Sequence, residues 1–86
     1  MELNPVTYHL PARIELRALG ENHIGIIRLI KSRIIQKDAM KIVEQVRQIQ
    51  SVDPSLQVSL ICTANICSKS LGLLEREGVG VVIEEV

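Results

Sequence analysis

The chain has no phenylalanine or tryptophan, and Tyr8 is its single aromatic residue. Any hydrophobic core must therefore be built from Ile, Leu, Val and Ala, and the aromatic platforms on which single-stranded nucleic acids usually stack are missing. Two cysteines, Cys62 and Cys67, are too few for a disulfide framework, so both are expected to be reduced, buried thiols. No apolar run approaches the roughly eighteen residues of a membrane span, and the first ten residues carry no basic start followed by an apolar stretch. A cytoplasmic protein with no membrane partner is the expectation. An excess of either charge is lacking too: ten basic residues balance ten acidic ones, so the molecule as a whole has no polyanion-binding signature.

What is present fits a single small core. At 86 residues, 47% of them hydrophobic, the chain has room for one α/β domain spanning 1–86, with 1–10 a poorly defined N-terminal segment. The charge is unevenly placed. From Arg13 to Arg47 eight basic residues (Arg13, Arg17, Arg28, Lys31, Arg33, Lys37, Lys41 and Arg47) stand against Glu15, Glu21, Asp38 and Glu44, whereas Glu75, Glu77, Glu84 and Glu85 dominate the C-terminal stretch. That asymmetry permits a basic face, although ordinary solvated helix and sheet edges are the simpler reading of it.

Arg13-Ile14-Glu15-Leu16-Arg17-Ala18 alternates polar and apolar, the period of a half-buried strand. Gly20-Glu21-Asn22-His23 has turn chemistry, and Ile24 to Ile30 is rich in β-branched residues, so a β-hairpin is predicted. From Ile34 to Gln50 the period changes. Ile35, Ala39, Ile42, Val46 and Ile49 form one apolar stripe, with Lys37, Lys41, Glu44 and Gln48 away from it, predicting an amphipathic helix. Asp53-Pro54-Ser55 ends the connection. Gln57 to Thr63 reads as a strand, Cys67 or Ser68 as the cap of a short helix through Arg76, Gly78 as its C-terminal stop, and Val79 to Ile83 as a last strand. Helices after the second and third strands imply crossovers, hence a mixed sheet that is parallel in part.

Cys62-Thr63-Ala64-Asn65-Ile66-Cys67 follows a strand and opens a helix, and is similar to the phosphate loop of the low-molecular-weight protein tyrosine phosphatases. Where that family has its phosphate-holding arginine this chain has Ser68, and the loop has no glycine to let backbone amides converge. Two core cysteines at a strand-helix junction are expected instead.

The order hairpin, helix, strand, helix, strand from Ala12 to Val86 resembles the conserved core of the restriction-endonuclease-like, or PD-(D/E)xK, nuclease superfamily. Its closing phrases, Val58-Ser59-Leu60-Ile61-Cys62-Thr63 and Leu74-Glu75-Arg76-Glu77-Gly78-Val79-Gly80-Val81-Val82-Ile83, look like those of mismatch-specific and related DNA-repair endonucleases. The resemblance implies an acid on the first hairpin strand and a carboxylate two positions before a lysine on the second, which together hold Mg²⁺ and position the attacking water. Glu15 takes the first acid's place and Lys31 the lysine's, but the second carboxylate's position holds Leu29. Some members supply that acid from the following helix. Glu44 would be its equivalent, although it lies away from the apolar stripe and is expected to face solvent. The glutamine that the family's helix often turns toward the metal corresponds to Ile42.

The expectation is a degenerate nuclease-fold protein without a cofactor, acting as a non-catalytic binding, structural or regulatory subunit, plausibly in DNA metabolism. An active enzyme would be an Mg²⁺-dependent DNA endonuclease using Glu15 as metal ligand with Lys31 and Glu44. A third possibility is a small module resembling the archaeal chromatin protein Alba, with Arg13, Arg17, Arg33 and Lys37 on phosphates. Glu15 is also placed to pair across the hairpin with Arg28, or to face Leu29, depending on loop length. His23 reads as a turn residue, and neither it nor His9 has a second His or Cys at ligand spacing. An open sheet with exposed edges implies a homodimer or a subunit of a larger complex.

Overall fold

The structure, a computed structural model, describes residues 2–29 and 33–84. Lys31 lies outside the described residues. Five strands form one sheet in the order of the chain: β1 (Glu2–Leu3), β2 (Glu15–Gly20), β3 (His23–Arg28), β4 (Gln57–Cys62) and β5 (Gly80–Ile83). Helix α1 (Gln36–Val52) links β3 to β4, and α2 (Ser68–Arg76) links β4 to β5. β1, β2 and β3 run antiparallel in turn, whereas β3, β4 and β5 are parallel. The molecule is thus an α/β domain built on a mixed four-strand sheet, with the two-residue β1 added at one edge.

Both crossovers step in the same direction across the sheet, so both helices lie on one face, where they pack against each other. The core lies between them and the sheet. Leu16, Ile24, Ile26, Val58, Leu60 and Cys62 reach it from the strands, Ala39, Ile42, Val46 and Ile49 from the stripe of α1, and Leu74 from α2. The segment before β2, which offered no pattern in the sequence, forms a 3-10 helix (Pro5–Tyr8) capped by the Asn4 side chain, and delivers Leu10 to that core.

The other face carries the alternate residues: Glu15, Arg17, Leu19, Gly25, Ile27, Ser59, Ile61, Val82 and Glu84. Ile61 is fully buried there without a helix above it. Gly25 gives it room, since a Cβ on that residue would stand 2.5 Å from Ile61 Cδ1 and 3.0 Å from Leu19 Cδ1. Arg17 on β2 bonds Glu84 just past β5 at 2.8 Å, so this ion pair closes over β3 and β4. His23, expected in the turn, instead opens β3, and its Nε2 lies 2.7 Å from Ser59 Oγ.

The hairpin register corrects both pairings considered for Glu15. Gly20 and His23 close the turn around Glu21 and Asn22, with Asn22 in the left-handed region at φ 55°. One extra residue, Leu19, is then accommodated on β2 before Ala18 meets Ile24. That bulge shifts every later pair by one position, so Glu15 faces Ile27 and stands on the opposite face from Arg28. Arg28 bonds Asp38 of α1 at 3.5 Å instead. Asp38 also accepts the N–H of Ile35 at 3.2 Å, satisfying one of the unpaired donors at the start of α1.

Candidate nucleic-acid interface

β1 covers β2 only at Leu16 and Arg17 and leaves the first residue of β2 open at the sheet edge. A groove of about 320 Å³ lies there, lined by Arg13, Ile14, Glu15, Ile26, Ile27, Arg28, Leu29 and Gln45. It gathers residues from both faces of the hairpin, because Glu15 and Ile27 point one way and Ile26 and Arg28 the other. Gln45 reaches it from α1, where it flanks the buried stripe between Ile42 and Ile49. A second, shallower groove, lined by Leu10, Arg13, Lys41, Glu44, Gln45 and Gln48, shares Arg13 and Gln45 with the first. The two therefore meet at Arg13 and Gln45, with Arg28 and Glu15 lining the first and Lys41 and Glu44 the second.

Gln45 Oε1 is buried and has no hydrogen-bond partner. Leaving a buried acceptor unsatisfied costs about 1–3 kcal/mol. Periodicity hid this residue, since a glutamine beside an apolar stripe reads as part of the solvated flank. The stripe position assigned to the family's glutamine, Ile42, is fully buried in the core.

Of the residues singled out in the sequence, the first groove brings together Glu15, Leu29 and Arg13. Glu44 is exposed on α1 and lines the second groove and another beside α2, but not the groove that holds Glu15. Arg17 is engaged by Glu84 on the open sheet face. Arg33 is exposed just before α1 and Lys37 is exposed in its first turn, both apart from the grooves.

Among the described residues, the groove's donors do not make a shell for a divalent cation. Mg²⁺ takes a near-octahedral shell of hard oxygens, usually with one or two carboxylates. The described residues offer one carboxylate, Glu15, and one amide oxygen, Gln45, beside the guanidinium groups of Arg13 and Arg28. Leu29, 36% exposed, puts aliphatic carbon where the resemblance calls for the second carboxylate. No group of three His, Cys, Asp or Glu side chains positioned to hold a metal occurs among the described residues. The guanidinium of Arg13 suits an anion instead, whereas that of Arg28 is engaged by Asp38.

The cysteine loop has a different character. Cys62 is completely buried at the end of β4, and burial pushes its thiol pKa up. Cys67, expected to be buried, is only partly so and caps α2: its Sγ accepts the Ser70 N–H at 3.4 Å and lies 2.9 Å from Ser70 Oγ. The Ser70 hydroxyl contributes most to lowering its pKa, followed by the Ser70 backbone N–H, with Arg33 contributing less. Position explains the difference, since a residue at a helix start meets unpaired N–H groups and one within a covered sheet does not.

No family model, curated protein or solved structure matches the chain.

Proposed function

We propose that this chain is a degenerate relative of the restriction-endonuclease-like nucleases that binds nucleic acid without cutting it, serving as a binding, structural or regulatory subunit in DNA metabolism. The observation that carries this reading is the composition of the groove at the start of β2, where Leu29 holds the place of a second carboxylate beside Glu15 and Arg13 lines both this groove and the adjoining one, Arg28 being engaged by Asp38. The guanidinium of Arg13, with Lys41 further along α1, offers donors for a phosphate, and a single groove carboxylate with Leu29 beside it favours an anion over a metal ion. The hairpin followed by parallel β3, β4 and β5 is compatible with the nuclease-type core implied by the resemblance. A module like Alba, using Arg13, Arg17, Arg33 and Lys37 as one set, is favoured less because Arg17 is engaged by Glu84.

Binding of a labelled 20-mer duplex, followed by fluorescence anisotropy over a series of salt concentrations, tests the reading. Affinity is expected to fall steeply with salt, and Arg13→Ala and Lys41→Ala are each expected to reduce the slope of log affinity against log salt by about one unit. No binding even at low salt, or slopes unchanged in both variants, would remove the proposed interface.

A further inference from the structure

We infer that β5 is the self-association edge of the molecule, pairing antiparallel with the β5 of a second copy about a two-fold axis at Val82. The inference makes the expected self-association specific and is independent of the nucleic-acid reading.

The two ends of the sheet differ in how they meet solvent. β1 is two residues long and is followed closely by Pro5, which cannot donate to a ladder. β5 is four residues long, Gly80-Val81-Val82-Ile83, and contains none of the charges, prolines or bulges that usually guard an exposed edge. No strand pairs with its outer side among the described residues. Val82 and Ile83 are 37% and 47% exposed, so both sheet faces present apolar surface at this edge.

Backbone alternation fixes which groups are free. The Glu84 N–H donates to the Cys62 carbonyl at 2.8 Å, so the backbone groups of Gly80, Val82 and Glu84 face β4. Those of Val81 and Ile83 point outward. Hydrogen-bonded pairs with a second β5 must therefore be formed by Val81 and Ile83. An axis at Val82 sets Val81 opposite the second copy's Ile83, and Ile83 opposite its Val81, using all four outward N–H and C=O groups of each strand. Centring the axis on Val81 would instead set Ile83 against Val79, a buried residue outside the strand.

The same axis makes Val82 and its counterpart a non-hydrogen-bonded pair, the close kind in which the two Cα atoms stand about 4.5 Å apart. Both exposed apolar residues of β5 are covered in this arrangement. Glu84 falls opposite Gly80, so no acid faces an acid across the seam, and its carboxylate is already held by Arg17. These requirements are met by the chain's own strand. The result is one continuous sheet with all four helices on one side and the open faces joined on the other.

Sedimentation equilibrium without nucleic acid is the first test. The wild-type chain is expected to show twice its 9.6 kDa mass, and Val82→Lys, which sets two ammonium groups against each other, is expected to be monomeric with unchanged far-ultraviolet circular dichroism. The second test does not depend on that variant folding. In a Cys67→Ser background, Val82→Cys is expected to form a disulfide-linked dimer under mild oxidation, because the pair's Cα spacing falls in the disulfide range. Ala18→Cys on β2 is the comparison and is expected to stay unlinked. A monomeric wild type, a dimer that survives Val82→Lys, or equal crosslinking at positions 82 and 18 would overturn the inference.

Discussion

Cys62 and Cys67 show how residues of one type, close in sequence, acquire opposite chemistry from their surroundings. Burial opposes ionisation of Cys62, whereas the Ser70 hydroxyl and the amide at the start of α2 favour the thiolate of Cys67. Labelling with iodoacetamide across a pH series should modify Cys67 with a midpoint below that of an ordinary thiol and leave Cys62 unmodified in the folded chain. Ser70→Ala should move that midpoint upward. The sign for Cys62 follows from linkage: its folded pKa exceeds its unfolded one, so its contribution to stability is full below the unfolded value and is lost as pH rises through the folded value. Equal labelling of both thiols in the native protein would contradict the burial on which this rests. Gln45 belongs at this scale too, because only the packing of α1 on the sheet reveals that its oxygen is enclosed and unpaired.

Elements with strong internal periodicity were legible, and those fixed by contact with other parts of the chain were not. The stripe of Ile35, Ala39, Ile42, Val46 and Ile49 gave α1, although Ile35 is half exposed just before its first turn, and Gly78, in the left-handed region at φ 75°, closes α2, with Cys67 rather than Ser68 as its cap. β1 is too short to show a period and exists only through its pairing with Leu16 and Arg17. The bulge at Leu19 was equally hidden, since the turn residues left a two- or three-residue loop open and say nothing about an extra residue behind it. Its effect is large, because a shift of one position turned Glu15 away from Arg28. The open face supplies a prediction at this scale. Gly25→Ala should destabilise the chain by about 1–3 kcal/mol in urea unfolding, since the new methyl meets Ile61 and Leu19, and Gly25→Val should cost more. Unchanged stability in both variants would mean that Ile61 is less tightly enclosed than described.

Across the whole molecule, the division into a helix-covered face and an open face sets what each region can do. Aliphatic side chains fill almost all of the covered core, joined by Cys62 and, at its margin, by Tyr8, the one aromatic the sequence offers. No helix of the described residues is long and apolar enough to cross a membrane. The start of β2 leaves a groove at one end of the hairpin, and β5 leaves a bare edge on the far side of the sheet, so the two proposed binding surfaces do not overlap. The candidate site was only half legible. Glu15 and Leu29 were drawn together from the sequence, with Lys31, which lies outside the described residues, whereas Arg13, read there as part of a separate basic set, and Gln45 and Lys41 of α1 joined them only in the fold.

Isothermal titration of the chain with Mn²⁺ asks most directly whether this groove can hold the ion on which nuclease chemistry depends. No saturable heat is expected, and DNA should remain uncut in the same buffer. One ion bound per chain, lost in Glu15→Ala together with cleavage of duplex DNA, would contradict the account.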